Sequence, residues 1–202
     1  MVSTRSFDIS PSTSVANVRL NVYSVERSLH FYRDLLGFQV IGKSSEDNAL
    51  LAPIDSNNKN HLLQLGRVDT SHRVIEGEQS PIRQAGLYHF AILLPSRRHL
   101  ANIFRHLTEN SNQLYFEGAA DHSVSESLYF KDPDSNGVEI YRDRVQSKWK
   151  RSNQFQVEMK TDHLNLEQLL REGEDQIKWR MPSDTVIGHV HLHVSDLIKS
   201  RN

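Results

Sequence analysis

The sequence begins the same small motif three times, and this constrains the fold more than any other feature, because a repeated strand and helix must be repeated as a packing unit. Residues 17–37 read NVRLNVYSVERSLHFYRDLLG. Val18, Leu20 and Val22 alternate as in a half-buried strand; Val25, Leu29, Phe31, Tyr32, Leu35 and Leu36 then follow a helical pattern that stops at Gly37. From His89 the chain reads HFAILLPSRRHLANIFRHLTEN, a strand followed by Pro95 and Ser96 at a helix start and by Leu100, Ile103, Phe104 and Leu107 on one helical face. From His189 it reads HVHLHVSDLIKSRN, with Val190, Leu192 and Val194 alternating and Ser195 or Asp196 able to cap a further helix.

Each of the first two starts is followed by three short strand-like runs, at 39–43, 49–51 and 62–65, and at 113–116, 127–130 and 138–141. The unit is βαβββ. The pattern predicts an α+β fold in which two such modules pair into a curved, cleft-enclosing mixed sheet, since a sheet with one helix has one face to cover and another to use. The expected boundaries are an N-terminal tail at 1–14, a first module at 15–68, a polar linker at 69–84, a second module at 85–145, a charged connector at 146–184 and the start of a truncated third module at 185–202. In the connector, Leu164, Leu166, Leu169 and Leu170 predict one short helix with Asn165 or Asp162 near its start.

Superposing the starts puts Asn17, His89 and His189 at one position. On the last strand of each complete unit, NHLLQLGRV matches NGVEIYRDR and pairs Gln64 with Glu139, at offsets of 47 residues from Asn17 and 50 from His89. Asn17, Gln64, His89 and Glu139 are therefore expected to converge under a pseudo-twofold axis as candidate metal ligands. A lone histidine at a strand start is ordinarily a satisfied surface or core residue, and it is the repeat that lifts His89 and Glu139 above that background. Composition limits the metal's donors: the chain has no cysteine, so any ion sits on nitrogen and oxygen, which suits iron, manganese, nickel or zinc. With 25 acidic and 24 basic residues the formal net charge is −1, which provides no bulk attraction to nucleic acid or anionic lipid. No segment approaches the roughly 20 apolar residues of a membrane helix, so the expectation is a cytoplasmic protein with neither nucleic-acid nor membrane partners.

The segment 122–141, HSVSESLYFKDPDSNGVEIY, is the most informative. Asp132, Pro133, Asp134, Asn136 and Gly137 form a polar turn between two strands that holds Tyr129 near Glu139 across a hairpin. By alternation Tyr129 shares a face with Ser127, and Glu139 with Tyr141.

These passages, with VYSVERSLHFYRDLLGF, GLYHFAILLPSRRHL and IGHVHLHVSDLIKS, resemble the vicinal oxygen chelate superfamily, and within it the extradiol ring-cleaving dioxygenases of the catechol 2,3-dioxygenase type. The resemblance implies His89 and Glu139 as ligands of a divalent metal, ferrous iron before Mn(II), Ni(II) or Zn(II). It also implies His122 as a histidine assisting proton transfer, Tyr129 as a hydrogen-bond partner of the substrate, and a small aromatic substrate and dioxygen as partners. It further implies glyoxalase-like isomerisation or metal-free drug binding as the alternatives within the superfamily. Asn17 stands where such proteins carry a first histidine ligand, with Gln64 as a neutral oxygen donor in reserve. The third start then leaves His189 an orphan ligand position and its strand an unpaired edge that must be covered, frayed or exchanged with a second chain, the last giving a homodimer.

Overall fold

Each complete start builds the same four-stranded pattern. A computed structural model describes residues 9–10, 12–55, 61–68, 85–110, 114–152, 156–175 and 178–201. The expected linker at 69–84, most of the 1–14 tail and Gln113, where a strand was expected to open, lie outside the described residues.

In the first module, β1 (Val18–Val22) leads through Ser24 into α1 (Val25–Leu29), and the Ser24 hydroxyl accepts from the Arg27 amide at 3.2 Å, an N-cap that satisfies one of the helix's free donors. The helix continues as a wider π-type segment over His30–Leu35. A π-turn rotates less per residue, so the adjacent rings of Phe31 and Tyr32 both reach the core, edge-to-face with centroids 4.9 Å apart. Three strands follow, β2 (Gln39–Ser45), β3 (Asn48–Ala52) and β4 (Leu63–Arg67), in the order β1-β4-β3-β2 with β1 and β4 parallel.

The second module repeats this order with β5 (Gly86–Leu93), α2 (Arg97–Asn110), β6 (Tyr115–Asp121), β7 (Ser125–Lys131) and β8 (Gly137–Asp143). The strand expected at 113–116 starts two residues later and runs further, because Ala119 and Ala120 continue the ladder to β7. Two strands extend this sheet to six: β9 (Asp162–His163) pairs with β6, and β10 (Val186–His193) lies antiparallel against β5. The third start is therefore not left unpaired. It pairs within its own chain, because the connector brings it to the open side of β5. The final helix, α4 (Leu197–Arg201), begins after Asp196, whose carboxylate accepts from the amides of Ile198 and Lys199.

The α+β class with βαβββ units is what the structure has. The modules keep separate four- and six-stranded sheets, and the first helix packs on the core face of the second sheet, where Tyr32 meets Phe90 at 6.4 Å. Beneath it lies one continuous core that includes Leu65, Phe90, Ile92, Leu100, Leu128, Phe130 and Ile140. Asp132, buried in the β7–β8 turn, fixes the junction: its carboxylate accepts from the Tyr32 hydroxyl at 2.8 Å, the amides of Asp134 and Asn136, and the Asn136 side chain.

The connector is a strap across the core side. Its helix α3 (Leu166–Leu170), N-capped by Asn165, packs on α2, where Arg105 donates to the Leu170 carbonyl and Asn102 accepts from the Glu174 amide. Further along, the Trp179 indole donates to the Leu36 carbonyl at 2.9 Å and the Met181 amide to that of Gly37 at 2.9 Å. Gly37 has φ +82°, and a β-carbon there would lie 2.9 Å from the Met181 nitrogen and 3.0 Å from the Trp179 ring, so glycine is needed for both the helix stop and the strap. Among the described residues no helix is long and apolar enough to cross a membrane.

Candidate metal centre

Strand register alone brings one carboxylate and two imidazoles together. Across the six-stranded sheet, Tyr129, Glu139, Ala91 and His189 face one another in a row, and Gly137, His89 and His191 form the next. Ala91 is the small residue between Glu139 and His189, over which their side chains meet. His89 is diagonal to Glu139, within reach of long side chains. Gly137 makes this possible: a β-carbon there would lie 2.1 Å from the Tyr88 carbonyl oxygen and 2.9 Å from the His89 β-carbon, so only glycine lets β8 run this close to the start of β5.

Two irregularities in the β5–β10 ladder set the facing of the new strand. Ile187 is opposite Ile92 and packs into the core, and simple alternation would send His189 the same way. An extra residue, Gly188, flips the strand so that His189 turns to the other face, and Gly188 must be glycine because a β-carbon would overlap the Tyr141 hydroxyl at 1.9 Å. A second shift, between His191 and Leu192, accompanies Tyr88 turning to the same side as His89.

The resulting donor atoms form a triangle. His89 Nε2 is 2.9 Å and His189 Nε2 3.1 Å from Glu139 Oε2, and the two imidazole nitrogens are 3.3 Å apart. Two donors at right angles on an ion with bonds of about 2.1 Å lie roughly 3.0 Å apart, so the triangle fits one face of a first-row divalent ion. Among the described residues, this is the group of three or more such side chains that could hold an ion. Glu139 is 3% exposed. Burial pushes its carboxyl upward, but hydrogen bonds from His189, His89 and Ser127 reverse that and hold it well below the usual carboxylate range, so it is ionised as a ligand must be. The Ser127 hydroxyl donates to Glu139 Oε1 at 2.7 Å and orients the carboxylate.

The centre opens into a cleft of about 690 Å³ whose lining includes Tyr88, His122, Tyr129, His191, Met159 and Thr161. His122 and Tyr129 are joined, Nε2 to hydroxyl, at 2.9 Å, and the Tyr129 hydroxyl is 3.3 Å from Glu139 Oε1. Burial, then the Glu139 charge, raises the Tyr129 phenol above its ordinary value, and burial with Asp143 and Glu139 does the same for Tyr141, so both remain protonated at neutral pH. The tight turn carrying His122 is set by Asp121, which accepts from the Ser123 amide at 2.8 Å and from Arg144 through both oxygens at 2.5 and 2.8 Å. Arg144 foremost, together with the Ser123 amide and against a push from burial, holds the Asp121 carboxyl at about 2.

Of the four positions expected to converge, the structure brings His89 and Glu139 together and places the other two elsewhere. Asn17 is exposed ahead of β1, and Gln64, on β4 of the first sheet, donates to Asn48 at 3.1 Å. Neither lines the cleft, because the first module packs on the core face of the second sheet, whereas the cleft lies on the opposite face, where β10 extends the sheet beyond β5. His189 occupies the place expected of Asn17. The repeat carried that signal, since HVHLHV aligns with HFAILL. No sequence signal marked Met159 and Thr161, which reach the cleft only through the path of the connector.

A family model described as the Glyoxalase/Bleomycin resistance protein/Dioxygenase superfamily matches residues 14–140. The chain belongs to this superfamily. Within it, the chain is 40% identical over 193 residues to a protein of Bacillus subtilis (strain 168) named catechol-2,3-dioxygenase, a match covering 96% of this chain and 64% of that relative's length. A solved structure described as a glyoxalase/dioxygenase from Nostoc punctiforme aligns with TM-score 0.50 at 19% identity, covering 69% of this chain and 98% of the other, and shows the shared superfamily fold.

Proposed function

We infer that the chain carries the metal centre of an extradiol-type dioxygenase acting on a catechol-type aromatic with dioxygen. The observation that carries the reading is the triangle of two imidazole nitrogens and one carboxylate oxygen, with edges of 2.9, 3.1 and 3.3 Å, at the floor of a cleft that also holds a histidine and a tyrosine. The 40% identity to a protein named catechol-2,3-dioxygenase supports the substrate class. His89, His189 and Glu139 would hold the ion, with ferrous iron favoured over Mn(II), Ni(II) and Zn(II). Such an ion supplies charge stabilisation to a vicinal diol and electrons for dioxygen chemistry, and three ligands on one face leave positions open for both.

The chain's own groups do the rest. Ser127 orients the Glu139 carboxylate; Tyr129 and His122, hydrogen-bonded in series, stand beside it to take a proton from a phenolic hydroxyl; and Tyr88 offers an aromatic wall. Anaerobic loading with ferrous iron followed by catechol and oxygen should give a yellow ring-fission product, with the rate reduced about 10²–10⁴-fold in His122→Ala. Stoichiometric iron without ring fission across a panel of substituted catechols would sink the reading.

A further inference from the structure

Two acceptors compete for the single proton of the Tyr129 hydroxyl, and a group on the connector decides between them. His122 Nε2 is 2.9 Å away and Glu139 Oε1 3.3 Å away. The other ring nitrogen of His122, Nδ1, lies 3.1 Å from the backbone carbonyl of Lys160 and 3.3 Å from the Thr161 hydroxyl. A carbonyl can only accept, so Nδ1 carries the hydrogen, and a neutral imidazole then presents a bare lone pair at Nε2. The Tyr129 hydroxyl must donate to it. Glu139 Oε1 meanwhile has Ser127 as its donor at 2.7 Å.

We propose that Lys160, through its main-chain carbonyl, is a positioning residue that locks His122 in the Nδ1–H tautomer and so makes the Tyr129–His122 pair a one-way proton acceptor facing the cleft. The carbonyl is held there by the ladder: β9 starts two residues later and pairs Asp162 with Asp121 and His163 with Ala120, in the strand that leads into the His122 turn. Lys160 also closes on Asp162 by an ion pair at 2.5 Å.

In the proton step, the O–H bond of a phenolic substrate breaks as its proton passes to the Tyr129 oxygen. The Tyr129 proton passes to His122 Nε2, and the imidazolium formed keeps its Nδ1–H on the Lys160 carbonyl. Two protons each shift across one hydrogen bond, so that one positive charge passes in net from the substrate hydroxyl to His122, the Tyr129 hydroxyl is regenerated, and no electrons are gained or lost. With the opposite tautomer Nε2 would already hold a hydrogen, and the pair could not take up the proton. This use of the tautomer rests on the ring-cleavage reading; the tautomer itself does not.

The test is therefore spectroscopic. Long-range ¹H–¹⁵N correlation of the neutral His122 ring, recorded on the iron-free full chain, reads which nitrogen is protonated. The expected result is a protonated Nδ1 and an unprotonated Nε2, unchanged in Tyr129→Phe and in Thr161→Val. An Nε2–H ring in the wild type, or rapid exchange between the two forms, would overturn the proposal. Loss of the Nδ1–H form in Tyr129→Phe would assign the role to the phenol, and its loss in Thr161→Val would assign it to that hydroxyl; either result removes it from Lys160. Ring-cleavage activity enters none of these readouts, so the ring-cleavage reading and the tautomer can fail separately.

Discussion

At the scale of single residues, the site depends on what is small as much as on what is charged. Gly137 and Gly188 have no room for a β-carbon, and each lies in a strand of the candidate centre at the point where that strand passes close to another group, the Tyr88 carbonyl for Gly137 and the Tyr141 hydroxyl for Gly188. Gly137→Ala should lower thermal stability by about 1–3 kcal/mol, the usual cost of overpacking, and weaken metal binding as β8 moves from β5; unchanged melting would mean that Tyr88 yields freely. Asp121 makes a pH prediction. Its folded carboxyl, at about 2, lies below the ordinary 3.8, so its contribution to stability is complete above the unfolded value and is lost as pH falls through the folded one. Acid titration of the wild type should show stability falling between about pH 4 and pH 2 in a step that Asp121→Asn removes, with the variant already less stable at neutral pH. The same acid limb in both proteins would dissociate Asp121 from the turn that carries His122.

At the scale of elements, the repeat was legible because strand and helix periods are local. Of the three starts, His89 and His189 lie within strands and Asn17 directly precedes one, so that the alternating Val18, Leu20 and Val22 fall in β1, and Gly37 ends the first helix. The Asp132–Gly137 turn was legible too, because polar turn residues identify themselves, and the register it sets puts Tyr129 opposite Glu139. What alternation could not show was the switch of face at Gly188, since an extra residue inverts everything after it and is invisible to a period-two pattern. The role of the connector was hidden for a different reason. Its charged composition reads as solvent-exposed, yet Leu169, Trp179 and Met181 are buried, and they are too widely spaced to form a pattern. Trp179→Ala should cost about 3–5 kcal/mol, the range for emptying a large aromatic site, when measured by denaturant unfolding. A cost below about 1 kcal/mol would mean that the strap does not hold the first module.

At the scale of the molecule, the repeats suggested four convergent positions between two modules, and the structure assembles three between the second module and the start of a third. Superposition identifies equivalent positions within modules, but it does not say which modules become neighbours; that is decided by the connector, which carries β10 to the open side of β5 and leaves Gln64 on the other sheet and Asn17 just ahead of it. The measurement that tests this most directly is metal stoichiometry by mass spectrometry after anaerobic loading with ferrous iron, in the wild type and in single variants. About one ion per chain is expected in the wild type, Asn17→Ala and Gln64→Ala, with binding lost in His89→Ala, Glu139→Ala and His189→Ala alike. Full binding by His189→Ala, or its loss in Gln64→Ala, would contradict a centre built from β5, β8 and β10.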